Sequence, residues 1–154
     1  MHSDDLEELI LTDQGRERWQ RRQRELERWV VRQKPRRRPK QTVILRNIVL
    51  DAEWLKAITI LWRSGIDTEH SCAGVSLSDE PVDHSLYAYL TIPESERATR
   101  FVRFTMERLQ HRVLITYEPH EKRYDLSSFF IQHNRSFCYL MERCALNFAT
   151  LDPG

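Results

Sequence analysis

The chain lacks any apolar run near the roughly 20 residues that a membrane-spanning helix requires. Its N-terminus, Met-His-Ser-Asp-Asp, is acidic and carries no apolar stretch of the kind found in signal peptides. No internal repeat is present, and no complete catalytic signature can be found in the sequence. These absences lead us to expect a cytoplasmic protein without a membrane segment.

Cysteine is also scarce, and its spacing argues against the usual roles of paired cysteines. Cys72, Cys138 and Cys144 form no C-x-x-C pair and leave an odd number. A disulfide framework is therefore not expected, and a reducing compartment fits the sequence better.

Charge, by contrast, is plentiful and unevenly distributed. Residues 1–15 hold five acids and no Lys or Arg, whereas residues 16–40 hold 12 Lys or Arg against three Glu. Residues 41–154 hold 12 Lys or Arg against 15 Asp or Glu. This segregation predicts a charged helical extension with a basic linker over 1–40, followed by one ligand-binding domain over 41–154.

The extension is predicted to form a helix over 16–34 that ends before Pro35. Its apolar residues fall on one stripe, made of Trp19, Leu26, Trp29 and Val30. The arginines suit the phosphate backbone of RNA, with tryptophans available to stack on bases. The candidate RNA contacts are Arg21, Arg22, Arg28, Arg36, Arg37 and Arg38. Alternatively, the stripe packs against the domain or against a second copy of the chain, which would make a homo-oligomer.

The domain alternates between strand-like and helix-like segments in the order β-α-β-β-α-β-β-α. Apolar periodicity predicts helices over 52–64 and 94–110, with Asp51 as the N-cap of the first. Asn134 or Ser136 caps a last helix. The predicted strands are 42–50, 66–71, 85–92, 112–118 and 123–131. This order predicts an α+β fold, a ferredoxin-like split β-α-β sandwich with an extra hairpin strand and a C-terminal helix.

Reactive side chains crowd into one short segment, the run from Gly65 to Gly74. The Ser-Cys-Ala-Gly turn within it can present backbone N–H groups to an anion. Tyr87 or Tyr89 would then stack on a ring of the ligand. The predicted ligand-binding residues are Thr68, His70, Ser71, Cys72 and Gly74, with His84 and Glu118 at the rim. We therefore predict a binding protein for a small anionic or nucleotide-like ligand.

Other interpretations of Cys72 stay open at this point. In the first of them, the cysteine is a small buried hydrophobic residue. It would be a nucleophile if His70, two residues away in an extended segment, polarised its thiol. A third interpretation is a metal site formed by His70, Cys72 and His84, with Asp83 nearby. The spacing of these residues matches no known ligand pattern, so no metal is predicted.

The run Thr68-Glu-His-Ser-Cys-Ala-Gly74 resembles the Thr…Ser-Ser-Cys-Ser-Gly-Arg motif of the methyltransferase family that acts on tRNA in wybutosine synthesis. A helix precedes the motif and an apolar strand follows it in both, and Ile115–Pro119 is similar to that family's strand ending in an acid and proline. Here Val75 stands in place of the family's Arg. The resemblance implies, as the alternative function, an RNA-modifying enzyme with a basic RNA-binding arm in which Cys72 or His70 acts directly. The shorter Ser-Cys-x-Gly signature is also similar to small uncharacterised proteins of bacteria and phages.

Overall fold

A computed structural model describes residues 8–31, 37–38, 41–75, 80–81 and 85–153, with the backbone alone at 37–38 and 80–81. The elements, in chain order, are β1 (Leu9–Ile10), α1 (Gly15–Val31), β2 (Arg37–Arg38), β3 (Thr42–Leu45), β4 (Ile48–Asp51), α2 (Leu55–Arg63), β5 (Ser71–Cys72), β6 (Glu80–Pro81), β7 (Tyr89–Pro93), α3 (Glu96–Leu109), β8 (Val113–Glu118), β9 (Arg123–Ser128) and α4 (Asn134–Leu151). None of the helices in these ranges is long and apolar enough to cross a membrane.

The α+β class predicted from the sequence is confirmed. Five strands form an antiparallel sheet in the order β1-β8-β9-β7-β5. Apolar residues alternate along its central strands, so that Leu90, Ile115 and Leu126 are fully buried on one side. The intervening residues make up the opposite face of the sheet, which carries hydroxyl and carboxylate groups.

Helices α2, α3 and α4 share one core with the buried strand residues. Aromatic pairs join these elements in the core. The ring centres of Trp54, in the turn before α2, and Phe137, in α4, lie 5.9 Å apart in an edge-to-face arrangement, and those of Phe101 and Phe148 lie 5.4 Å apart. Burying side chains of this size stabilises the fold by about 1.5–3 kcal/mol each. Helix α3 begins at a conventional cap, because the Ser95 side chain accepts a hydrogen bond from the Ala98 N–H.

The segment 42–50 corrects one part of the predicted plan. It was predicted as a single strand of the sheet, but β3 and β4 form a separate hairpin paired from Thr42↔Asp51 to Leu45↔Ile48. Arg46 and Asn47 reverse the chain with φ of 51° and 63°, the left-handed pair that a two-residue hairpin turn requires. The first strand of the split β-α-β plan is therefore absent from the main sheet, and β1 of the N-terminal segment occupies the edge beside β8.

The described part of the N-terminal segment, predicted as an extension before the domain, packs against the rest of the chain, which is one of the arrangements predicted for its apolar stripe. Gln14 is buried and donates to the Val113 carbonyl at 2.6 Å. Trp29 is buried against Val75 and Ile131. Of the predicted apolar stripe, Trp19, Leu26 and Trp29 contact the domain, whereas Val30 is 70% exposed.

Charged residues on α1 also anchor the helix. The Glu25 carboxylate accepts hydrogen bonds from the Ile131 and Gln132 N–H groups at 2.7 and 3.1 Å. These N–H groups lie in the turn that leads into α4, so Glu25 caps that turn from a distant part of the chain. The Arg22 guanidinium lies 3.9 Å from the centre of the Tyr87 ring and donates to the Phe129 carbonyl.

We predict that Glu25→Ala lowers the free energy of unfolding by about 2 kcal/mol, because two N–H groups lose a charged acceptor. Urea denaturation followed by circular dichroism measures the change. Glu27→Ala is the matched control, since Glu27 is an exposed acid on the same helix. Equal effects of the two substitutions would contradict the proposed capping role.

Candidate functional site

Backbone hydrogen bonds to β7 and one to the Trp62 side chain hold the segment from Thr68 to Gly74 in place. The Trp62 indole N–H donates to the Thr68 hydroxyl at 2.9 Å. The Glu69 N–H donates to the Thr91 carbonyl, and the Thr91 N–H donates to the His70 carbonyl, both at 2.8 Å. The loop is thus an irregular continuation of the sheet edge beside β7.

The N–H groups expected to bind an anion have partners within the chain. The Ala73 N–H donates to the Asp51 carboxylate at 2.7 Å, and the Gly74 N–H points to the Cys72 sulfur at 3.5 Å. Asp51 was predicted as the N-cap of the following helix, but its side chain makes no capping hydrogen bond there. A carboxylate of the protein itself therefore occupies the position that a bound anion was predicted to take.

Cys72 and His70 lie in different surroundings. Cys72 is 4% exposed, and its sulfur also accepts the Ser85 N–H at 3.3 Å, whereas His70 is exposed. The strand here comprises only Ser71–Cys72, so the two-residue alternation that would bring the side chains together does not extend back to His70. The sequence-based pairing of the imidazole with the thiol is therefore not seen.

The other two cysteines, Cys138 and Cys144, are buried, as expected from the sequence, and none of the three cysteines forms a disulfide. Burial raises the pKa of both the Cys138 and the Cys144 thiols. Within the described residues, no group of three His, Cys, Asp or Glu side chains is placed to hold a metal ion. His84 and Asp83, which the metal interpretation required, lie outside those residues.

Asn134 joins the loop to the rest of the site. Its amide nitrogen donates to the Val75 and Leu86 carbonyls, both at 2.7 Å. Its amide oxygen accepts from the Ala88 N–H at 2.9 Å and from the Ser128 hydroxyl. Asn134 was predicted as a helix cap, but it is the first residue of α4 and its side chain serves these four groups instead. No sequence pattern identified this role.

An open cleft of about 370 Å³ lies on the face of the sheet opposite the core. Tyr87 and Tyr89, singled out from the sequence as stacking residues, both line it. The residues around it come from the position before β1, from β7, β8 and β9, and from the segment before β7: Glu8, Ser85, Leu86, Tyr87, Tyr89, Leu114, Thr116, Asp125 and Ser127. Sequence reasoning missed the strand positions of the lining, although their alternation with buried residues places them on one face.

The cleft contains hydrogen-bonding groups in an ordered arrangement. The Asp125 carboxylate accepts from the Thr91 hydroxyl at 2.5 Å, and the Glu8 carboxylate accepts from the Thr116 hydroxyl at 2.9 Å. The Tyr87 hydroxyl is buried and has no hydrogen-bond partner among the described residues. Burial raises the pKa of Tyr87, partly offset by Arg22, so the phenol is neutral and able to donate.

Glu118, predicted at the rim of the ligand site, closes a turn instead. Its carboxylate accepts from the His120 and Glu121 N–H groups at 3.1 and 2.7 Å. His84, the other predicted rim residue, lies outside the described residues. Thr68 lines a separate groove of about 380 Å³ with Arg46 and Trp62. The predicted ligand residues therefore do not meet in one cavity.

The arginines predicted to contact RNA lie in different surroundings. Arg22 is half-buried against Tyr87, and Arg21 is exposed, with its guanidinium 4.6 Å from the centre of the Phe130 ring. Arg28 is exposed. Arg37 and Arg38 are described by their backbone alone, which pairs in parallel with residues 80–81. Arg36 lies outside the described residues.

No family model, no curated protein and no solved structure matches this chain. The resemblance of the loop to the wybutosine-synthesis methyltransferases therefore stays a prediction.

Gly74 can be used to test how closely the atoms around this loop are packed. It has φ of +75°, and a Cβ atom there would lie 2.5 Å from the Asn134 amide nitrogen and 2.6 Å from the Ala88 nitrogen. Gly15 has nearly the same φ, +74°, but a Cβ atom there would meet nothing within 4 Å. The two glycines therefore share backbone strain and differ in crowding.

We predict that Gly74→Ala lowers the free energy of unfolding by about 3 kcal/mol or more, because strain and overlap with backbone combine. Gly15→Ala, the control, costs about 1 kcal/mol from strain alone. Urea denaturation of the two variants measures the difference. Similar losses in both variants would show that the loop is free to relax around Gly74.

Proposed function

We propose that this protein binds a small nucleoside-like molecule, an aromatic ring carrying hydroxyl or amine groups, in the cleft on the open face of the sheet. The observation that carries this proposal is the convergence of Tyr87 and Tyr89 with hydroxyl and carboxylate groups around one cavity. A cleft that combines aromatic surface with a few ordered polar groups is the usual form of a small-molecule site.

The size and the lining of the cleft both support this class of ligand. A volume of about 370 Å³ lies within the range of known ligand pockets, roughly 300–1,000 Å³. Tyrosine rings stack on planar aromatic ligands. The Asp125 and Glu8 carboxylates are acceptors for ribose hydroxyls or ring amines.

The Ser-Cys-Ala-Gly loop supports the cleft rather than holding an anion. The Cys72 sulfur accepts the Ser85 N–H at 3.3 Å, and Ser85 lines the cleft. The Ser85 hydroxyl in turn donates to the Tyr87 carbonyl at 2.5 Å. Since Cys72 is almost fully buried, binding rather than thiol chemistry is the better supported activity.

We predict that Tyr89→Ala weakens nucleoside binding about tenfold, because one stacking contact is worth roughly 1–3 kcal/mol. Isothermal titration calorimetry with adenosine and with uridine measures the dissociation constants. Tyr139→Ala is the control, because Tyr139 is a 59% exposed tyrosine on α4 that does not line the cleft. If neither nucleoside binds at millimolar concentration, or if both variants lose affinity equally, the proposal is wrong.

A second candidate function is RNA binding through α1, in line with the alternative drawn from the sequence. The observation that favours it is a row of exposed arginines, Arg16, Arg24 and Arg28, on the outer face of the helix. The Arg22–Tyr87 contact anchors this helix beside the cleft. Phosphates along the row and a base in the cleft would then belong to one strand.

This second candidate predicts steep dependence on salt. Three phosphate contacts on a single strand give a log–log slope of about −2, a loss of about 20-fold between 50 and 200 mM salt. Replacing Arg16, Arg24 and Arg28 together by Gln should remove most of that slope in fluorescence anisotropy with a labelled 12-nucleotide poly(U). The control replaces three exposed arginines elsewhere, Arg63, Arg103 and Arg143. Indistinguishable slopes for the two triple variants would refute an α1 interface.

A further inference from the structure

The N-terminal segment supplies part of the cleft wall. Strand β1 pairs with β8 at the edge of the sheet, with Leu9 opposite Tyr117 and Ile10 opposite Thr116. Glu8, just before β1, lines the cleft, and its carboxylate accepts from the Thr116 hydroxyl. A residue outside the domain predicted from sequence thus contributes a charge to the site.

Glu8 lies at the end of a polar row that crosses the three strands β8, β9 and β7. Thr116 lies opposite Asp125 in the β8–β9 ladder, and Asp125 lies opposite Thr91 in the β9–β7 ladder. Thr116 donates to Glu8, and Thr91 donates to Asp125. Each carboxylate is held by a threonine from the neighbouring strand, so both negative charges are fixed on the face of the sheet.

The cleft has acidic groups without basic ones in its described lining. Glu8 and Asp125 are the charged side chains there. The nearest cation identified by contact is Arg22, which lies over the Tyr87 ring and donates to the Phe129 carbonyl. That guanidinium is thus engaged in packing α1 against the domain. Two carboxylates against this one guanidinium leave a net negative charge around the cleft, which opposes the binding of a further negative charge.

We infer that Glu8 is a specificity-determining residue, which together with Asp125 makes the cleft accept an uncharged or cationic nucleoside-like ligand and reject its phosphorylated form. The inference rests on the proposed function of the cleft. Carboxylates accept hydrogen bonds from hydroxyl and amine groups, but a phosphate brings only acceptors and negative charge at neutral pH. Discrimination therefore comes from repulsion of the wrong ligand as well as from contacts to the right one.

The position of Glu8 is fixed because the whole segment is anchored. Gln14 donates to the Val113 carbonyl at the start of β8, and Arg18 donates to the His111 carbonyl at 3.1 Å. Glu25 caps the turn before α4. These contacts hold β1 in register with β8, so the carboxylate acts at a defined place rather than as part of a mobile acidic tail.

The test compares adenosine with adenosine monophosphate by isothermal titration calorimetry on the full chain at 50 mM salt. Wild-type protein should bind the monophosphate at least tenfold more weakly than adenosine. Glu8→Gln, which keeps an acceptor for the Thr116 hydroxyl, should narrow this ratio by about threefold to tenfold, mainly by improving monophosphate binding. Glu17→Gln, an exposed acid on α1, should leave the ratio unchanged.

The possible failures can be told apart. If adenosine binds wild-type protein but the monophosphate binds equally well, charge selection is refuted while the cleft stands as a ligand site. An unchanged ratio in Glu8→Gln refutes the role of Glu8 in particular. If neither compound binds wild-type protein, the proposed function itself fails and this inference fails with it.

Discussion

The buried amide of Asn134 is the interaction on which the rest of the site depends. It satisfies the Val75 and Leu86 carbonyls, the Ala88 N–H and the Ser128 hydroxyl at once. The Val75 carbonyl follows the Ser-Cys-Ala-Gly loop, the Leu86 and Ala88 groups lie just before β7, and Ser128 is the last residue of β9. Without the amide, polar groups in a buried region would lose their partners, which is far more costly than losing exposed ones. One side chain therefore fixes the chain that forms the wall of the cleft.

In the N-terminal segment, charged side chains of a sequence typical of a solvated helix take part in packing against the domain. Arg18 and Arg22 lie over the aromatic rings of Phe129 and Phe130 or of Tyr87, and Glu25 replaces a missing helix cap. Cation–π contacts and a shared carboxylate stabilise the docked helix without a large apolar face. The outward-facing arginines keep their charge at the surface. One helix thus has two chemically different sides, and only its inner side is explained by folding.

Much of the fold could be predicted from local patterns. The strand predicted over 112–118 is present as Val113–Glu118, the one predicted over 85–92 is reduced to Tyr89–Pro93, and the periodicity of 94–110 predicted α3. The hairpin of β3 and β4 was missed because its turn, Arg46-Asn47, lacks the glycine that marks most two-residue turns, and Asn47, which tolerates a positive φ, was the one local signal. The Asp51–Ala73 contact was missed because it joins residues that sequence alone does not relate. Asp51 does resemble a cap by its position, and its tertiary partner decided otherwise.

The sequence by itself determined the α+β class and the burial of Cys138 and Cys144. These follow from composition, periodicity and residue type, which act over a few neighbouring positions. The tertiary structure alone decided that the Ala73 N–H binds the Asp51 carboxylate, that Asn134 joins separate segments, and that Glu8 lines the same cleft as Asp125. Those outcomes depend on which strands become neighbours. Strand pairing is set by the free energy of burying the whole core, and no single segment of the sequence carries that information.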